Sequence, residues 1–263
     1  MRRGDFWFAV ISHQRPNNVG RTTKRIGPAT WYVGDDSREV WAYQYTGAAS
    51  VIPAGKLCRA RNMALEDAFN QDLTCVQVSD DMARCCYLET TADGKKLKRP
   101  LISFAEALDI VYQQLQQSSY YLGGGAPNDF IAWNYYKNPV VNNGFILGDF
   151  VVVKPNPLRF DEALLLKEDY DYTAQHFKTF GGVVRCNRVM VDFNHRINSG
   201  GAVASRSIET EQRSIEHLKK KWGAWIKDNP RSPYEVLLKL PPPGIDRLTW
   251  HEKATSPHSF KLT

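Results

Sequence analysis

The order of apolar and polar runs predicts an α/β fold: a mixed, mostly parallel sheet flanked by helices, with a helical and Pro-rich extension at the C-terminal end. Three observations carry this. Short apolar runs alternate with a helix-forming run between Phe6 and Asp81. Polar clusters stand where those runs stop, at His13–Asn18, Gly34–Ser37 and Ser79–Asp81. A late amphipathic run is followed by prolines.

Phe6 to Ser12 is short, apolar and aromatic and predicts a buried strand. His13 to Arg25, with Pro16, Asn17, Asn18 and Gly20, predicts a loop. Ala29 to Val33 predicts a second strand and Val40 to Tyr45 a third. In Lys56 to Phe69, residues Leu57, Ala60, Ala64, Leu65 and Ala68 share one helical face. Thr74 to Val78 predicts a fourth strand, ending at Ser79-Asp80-Asp81. Asp93 to Arg99 reads as a basic turn and Ile102 to Gln117 as a helix. Gly123-Gly124-Gly125 reads as a break, and Gly144 to Val153 as a strand. Arg159 to Phe180 holds an acidic cluster and a helix, Val183 to Asp192 a strand, and Asn198 to Ser205 a Gly/Ser/Ala loop. Ile208 to Ile226 predicts an amphipathic helix, with Ile215, Leu218, Trp222 and Trp225 three and four apart. Beyond Pro230 the tail, with Pro241-Pro242-Pro243, is expected to wrap the surface. The domain reading is a catalytic unit over 1–205, with 206–263 packed on the same domain.

A chain of 263 residues, 43% hydrophobic and 24% charged, is long enough for one sizeable core. The net charge of +6 favours an anionic partner, without choosing among nucleotide phosphates, nucleic acid and lipid. Five cysteines without a C-x-x-C spacing argue against a disulfide framework and a zinc ribbon. Phe6–Ile11 is too short for a signal segment, and no run has transmembrane length. The expectation is a cytoplasmic protein with reduced thiols and without membrane contact.

In open α/β sheets ligands bind beyond the carboxyl ends of the strands, where all three polar clusters are predicted to lie. The adjacent carboxylates Asp80 and Asp81 can hold a divalent ion and orient a ribose, since Mg²⁺ and Mn²⁺ prefer oxygen ligands. They can equally form an ordinary acidic turn. Arg59 and Arg61 precede them on a predicted helix, whose N-terminal amides and guanidinium groups favour a diphosphate. A solvated basic face is the ordinary alternative. A later acidic run, Lys167-Glu168-Asp169-Tyr170-Asp171-Tyr172, follows Phe160-Asp161-Glu162. Such a run also suits the first turn of a helix.

The helix bearing Arg61-Asn62, followed by Thr74-Cys75-Val76-Gln77-Val78-Ser79-Asp80-Asp81, resembles the GT-A glycosyltransferase pattern. The resemblance spans roughly residues 6 to 205 and implies a Rossmann-like fold, a UDP-sugar donor and a divalent cation, Mn²⁺ or Mg²⁺. It implies that Asp81 binds the metal and Asp80 the ribose or sugar. His13 and Arg15, with Asp35 and Asp36, would hold the uracil and ribose, and Arg61 and Asn62 the diphosphate side. The run from Phe160 to Tyr172 resembles the acceptor side, with Asp169, then Glu168, as the general base of an inverting transfer. His195 would be a further metal ligand, and Gly200, Gly201 and Arg206 part of a loop closing on the diphosphate. Ser79 departs from the pattern, which often has Asp or Glu there.

Within that class, Tyr121–Asn128, Asn142–Asp149 and the run from Glu168 to Phe177 look most like phage TET-associated glycosyltransferases. That resemblance implies DNA containing 5-hydroxymethylcytosine as the acceptor. Lys95–Arg99, Lys219-Lys220-Lys221, Lys227 and Arg231 are the candidate phosphate contacts. Tyr120, Tyr121, Trp133, Tyr135 and Tyr136 are candidates for stacking on a flipped base. The competing classes are a GT-A enzyme with a glycan, protein or small-molecule acceptor, a metal-dependent nucleotidyltransferase, and a non-catalytic DNA-binding protein.

Overall fold

A computed structural model describes residues 3–91, 96–194 and 207–242. Its framework is a ten-stranded mixed sheet. The N-terminal half is parallel. β1 (Phe6–Ile11) is flanked by β2 (Thr30–Val33), then β3 (Ser50–Pro53), and on its other side by β4 (Thr74–Ser79). Along β1 the side chains divide by parity. Trp7, Ala9 and Ile11 join one core cluster, and Phe6, Phe8 and Val10 the other. A strand buried on both faces reads as a continuous apolar run, as Phe6–Ile11 does.

The connections in this half differ from expectation in two places. The polar stretch after β1 is not all loop, since α1 (Val19–Ile26) fills its second part. Only Val19, Thr22 and Ile26 of α1 are buried, at intervals of three and four, a stripe masked by polar neighbours. The run Val40 to Tyr45 is helical, within α2 (Ser37–Tyr45). Asp36 caps it, accepting from the backbone N–H of Arg38 at 2.8 Å and of Glu39 at 3.2 Å. A side-chain cap of this kind outweighs the strand preference of Val40, Trp41, Tyr43 and Tyr45. The third strand comes later, as β3.

α3 (Leu57–Phe69) matches the expected helix. β5 (Met82–Tyr87) starts directly after Asp81. It continues into a small hairpin of β6 (Glu89–Thr90) and β7 (Leu97–Lys98), then β8 (Leu101–Ile102). α4 (Phe104–Gln116) begins with a capping box between Ser103 and Glu106. The glycine triplet lies inside a strand, β9 (Leu122–Ala126). A Cβ on Gly124 would stand 2.7 Å from the Ile146 side chain, and one on Gly125 would stand 2.7 Å from the Val189 carbonyl oxygen. The triplet therefore marks close approach within the sheet rather than a break.

α5 (Asp129–Tyr135) and β10 (Val140–Val141) follow. The strand expected over Gly144 to Val153 is confined to β11 (Phe150–Val153). Then come α6 (Glu168–Phe180) and β12 (Val184–Phe193). β11 runs antiparallel to β4 and to β9, and β12 runs parallel to β9. The carboxyl ends of β1, β2, β3, β4, β9 and β12 consequently share one edge of the sheet.

α7 (Ile208–Trp222) stops at Trp222, shorter than the predicted helix, and Trp225 sits in a single 3-10 turn. The tail then forms a hairpin of β13 (Ile226–Asp228) and β14 (Val236–Leu238). Ile215, Leu218, Trp222, Trp225, Ile226 and Val236 share a core cluster with residues of α3 and α6. α1 and α4 cover the opposite face. All five cysteines are buried free thiols. Among the described residues no helix is long and apolar enough to cross a membrane.

Candidate active site

A cleft of about 1830 Å³ lies along the shared strand edge. Of the candidate residues described, His13, Arg15, Asp35, Asp36, Arg61, Asp80, Asp81, Glu168 and Asp169 all line it. His195, Gly200, Gly201 and Arg206 lie outside the described residues.

The loop after β1 is tied to α2. Gln14, in the left-handed region at φ 57°, donates its backbone N–H to Glu39 Oε1 at 2.7 Å. Gly34 donates to the same oxygen at 3.2 Å, and His13 Nδ1 stands 3.1 Å from Glu39 Oε2. Glu39 thus binds the loops after β1 and β2 together. Arg15 donates its backbone N–H to the Tyr43 hydroxyl at 2.9 Å. Burial pushes that phenol well above its ordinary range. Asp35 is exposed on the rim and leans over Gly55, where a Cβ would stand 3.3 Å from Asp35 Oδ2.

At the centre the acidic pair is buried, Asp80 at 2% and Asp81 at 0% exposure. Asp80 accepts from the Ser12 hydroxyl through Oδ2 and from Arg15 Nη1 through Oδ1, the latter at 3.1 Å. Arg15 Nη1 is also 3.5 Å from Asp81 Oδ2. The backbone of the pair is held as well. Thr22 Oγ1 donates to the Asp80 carbonyl at 2.6 Å, and Asn194 N–H to the Asp81 carbonyl at 3.0 Å. Burial raises the Asp80 carboxyl above its ordinary value, against the pull of Ser12 and Arg15.

Ser79, the residue that departs from the family pattern, donates its hydroxyl to Asp149 Oδ1 at 2.7 Å. The backbones join at the same place, Ser79 N–H to the Asp149 carbonyl at 2.9 Å. A third carboxylate thereby reaches the strand end from β11. Asp149 was missed as a site residue, because only pairing across the sheet brings it here. Among the described residues no group of three or more His, Cys, Asp or Glu side chains converges tightly enough to hold a metal alone. Mg²⁺ and Mn²⁺ in nucleotide sites are commonly held by one or two carboxylates, with substrate phosphates and water completing the shell. The pair Asp80 and Asp81 fits that donor set.

The far wall of the cleft is built by α6. Glu168 is buried and paired with the buried Arg61, Nε to Oε1 at 3.0 Å. Arg61 Nη1 also donates to Gln77 Oε1 at 3.1 Å, and Gln77 Nε2 returns a bond to the Arg61 carbonyl at 2.9 Å. The Arg61 guanidinium is therefore engaged with α6 and β4, a different placement from the diphosphate contact expected of it. Asn62 does not line the cleft. Its side chain donates to the Phe160 carbonyl at 3.0 Å and accepts from the Phe160 N–H at 2.8 Å. This buried amide, expected on the donor side, clamps the loop that leads to α6.

Asp169, next to the Glu168 anchor, turns into the cleft half-buried and accepts from Gly148 N–H at 3.1 Å. Burial, reinforced by the charge of Glu168, pushes its carboxyl up to about 7. Gly148 and Asp149 are consecutive, so one short segment ties the acidic pair, through Ser79, to Asp169. Lys167, before the helix, is left-handed at φ 63° and pairs with Glu211 of α7 at 2.7 Å. On the next turn Asp171 accepts from Trp222 Nε1 at 2.7 Å and pairs with Lys221 at 2.8 Å. The C-terminal extension thus grips the helix that carries Asp169.

The basic and aromatic candidates are scattered. Lys221 also pairs with Asp161, and Lys219 with Asp228, so two of the three consecutive lysines are spent within the fold. Tyr121 packs on Phe180. Trp133 and Tyr135 are exposed on α5, as is Phe130, which lines the cleft. Arg99, from the basic run, and Arg84, not singled out from sequence, line the cleft beyond Asp81 and share Asp192 at 2.8 and 2.6 Å.

No protein family model matches the chain, and no curated protein matches it in sequence. Among solved structures it is similar to the mannosyltransferase PcManGT from Pyrobaculum calidifontis, solved in complex with GDP-Man and Mn²⁺. The match has a TM-score of 0.51 at 10% identity and covers 82% of this chain. The chain spans 64% of that mannosyltransferase's length. At that identity the likeness is one of fold alone: a mixed, mostly parallel α/β sheet flanked by helices.

Proposed function

We propose that the protein is a divalent-cation-dependent glycosyltransferase that takes a sugar from a nucleotide-sugar. The observation that carries this is the cleft itself. One strand edge brings together a buried Asp80–Asp81 pair fit for a metal and a nucleotide, and a carboxylate of raised pKa, Asp169, on the facing helix. The solved relative in fold, bound to GDP-Man and Mn²⁺, supports the same reading.

In this reading the nucleotide lies over the loops after β1 and β2, near His13, Arg15, Asp35 and Asp36. Asp81 holds the ion and Asp80 the ribose or sugar. The ion, when bound, would offset charge on the departing diphosphate. Asp169 accepts the proton of an acceptor hydroxyl while that oxygen bonds to the anomeric carbon and the bond from that carbon to the diphosphate oxygen breaks. Attack opposite the leaving group makes the transfer inverting. Glu168 is tied to Arg61 and positions Asp169 rather than competing with it for the proton.

The acceptor we propose is the hydroxymethyl group of 5-hydroxymethylcytosine in DNA, with a UDP-sugar as donor. The resemblance of residues 121–128, 142–149 and 168–177 to the phage enzymes supports it. The wall with Arg84, Arg99 and exposed Phe130 supports it too, since a stacked base and a phosphate need such groups. The test is mass spectrometry of hydroxymethylated DNA after incubation with Mn²⁺ and a panel of UDP- and GDP-sugars. A sugar added to the DNA is the expected result. Transfer to a glycan or protein with no change in the DNA would move the acceptor elsewhere.

A further inference from the structure

The acidic pair already has a cation, supplied by the chain. Arg15 Nη1 stands 3.1 Å from Asp80 Oδ1 and 3.5 Å from Asp81 Oδ2. The three side chains are 10%, 2% and 1% exposed, so water screens this triad poorly. A divalent ion approaching the same oxygens meets a positive charge at contact distance. The charges fit a shared role. Two carboxylates and one guanidinium leave one negative charge, whereas two carboxylates and a divalent ion leave none. The backbone N–H of Arg15 is pinned to Tyr43, but its long side chain ends in a planar fork that pairs with phosphate as readily as with carboxylate. The same cleft carries the exposed Lys56 and Arg59, a second pull on an anion.

We propose that Arg15 is an exchangeable internal counter-ion. It occupies Asp80 and Asp81 in the free protein and transfers to the diphosphate when a nucleotide enters. The carboxylates then accept a divalent cation only together with the nucleotide. The identity of the nucleotide rests on the glycosyltransferase reading, but the competition between Arg15 and the metal does not. Linkage makes the coupling reciprocal: a nucleotide tightens Mn²⁺ by the same factor by which Mn²⁺ tightens the nucleotide.

The experiment is Mn²⁺ binding to the full chain, followed by the electron paramagnetic resonance signal of free Mn²⁺, with and without UDP or GDP. Wild-type protein binds Mn²⁺ weakly alone and at least roughly tenfold more tightly with the nucleoside diphosphate. Arg15→Gln binds Mn²⁺ alone at least roughly tenfold more tightly than wild type, and the nucleotide adds little further. Arg15→Lys, which keeps the charge, stays near wild type. Mn²⁺ affinity unchanged or weakened in Arg15→Gln overturns the proposal. So does wild-type protein that binds Mn²⁺ equally well with and without nucleotide, a result that needs no variant to fold. Nucleotide binding indifferent to Mn²⁺ in wild type and lost in Arg15→Gln would make Arg15 a permanent substitute for the metal, which also contradicts exchange. Failure of every sugar-transfer assay would count against the glycosyltransferase reading while leaving these Mn²⁺ results decisive.

Discussion

The two walls of the cleft are built in different ways. The wall over β1, β2 and β4 is made of loops that follow parallel neighbouring strands, and its side chains come from short segments between Ser12 and Asp81. The facing wall is assembled from afar. Arg61 meets Glu168 across 107 positions, Asn62 meets Phe160 across 98, and Ser79 meets Asp149 across 70. The near wall gathers charges that, in the proposed mechanism, exchange with a ligand. The far wall locks its charges into pairs and leaves one carboxylate, Asp169, raised and facing the cleft. On the proposed reading the difference is a division of labour, in which one wall binds and the other is held rigid for proton transfer.

The largest effect that would break this comparison is at Asp169. Asp169→Asn should lower the transfer rate by roughly 10²–10⁴-fold while leaving nucleotide affinity nearly unchanged. Steady-state kinetics beside a nucleotide titration separate the two; lost affinity would place Asp169 on the binding wall. Next in size is the rigid pair. Arg61→Met leaves Glu168 buried without its partner and should cost about 3–5 kcal/mol, read from the urea midpoint. A cost near zero would mean the far wall is not locked by this pair.

The pH dependence sharpens the same point. With the Asp169 carboxyl raised to about 7, its basic form is lost below that pH, so the transfer rate should rise with pH up to about 7 and then level. Stability runs the other way. The native state holds this proton where the unfolded chain has released it, so stability falls as pH rises from the unfolded value of 3.8 through the folded one. Asp169→Asn should abolish the rate slope and flatten the stability slope, leaving the part due to the raised Asp80, by pH–rate profiles and by urea melts at several pH values. The smallest effect belongs to the extension. Lys219→Ala removes an exposed pair with Asp228 and should change stability by only about 0–1 kcal/mol. A large loss of DNA binding in that variant would restore the lysine run as a nucleic-acid contact.

What could be read from sequence follows the same division. The near wall was legible because strand ends are local. Apolar runs stop at His13, Gly34 and Ser79, and parallel pairing puts those stops side by side. The helices α1 and α2 were not, because α1 has a narrow buried stripe and α2 depends on one Asp36 cap. The glycine triplet looked like a break because the packing that needs it comes from Ile146 and Val189, remote in sequence. The acidic run at Glu168–Asp169 was visible, but not the split between an ion-paired anchor and a carboxylate facing the cleft, which Arg61 imposes from another helix. Asp149 was hidden for the same reason: only the pairing of β11 with β4 brings it to Ser79.

The division of labour is tested most directly by calorimetric titration of a nucleoside diphosphate, in the presence of Mn²⁺, into wild-type protein, Asp81→Asn and Asp169→Asn. The account predicts that Asp81→Asn loses at least roughly tenfold in affinity, or about 1.4 kcal/mol, while Asp169→Asn binds as wild type does. Equal losses in both variants, or none in Asp81→Asn, would contradict it.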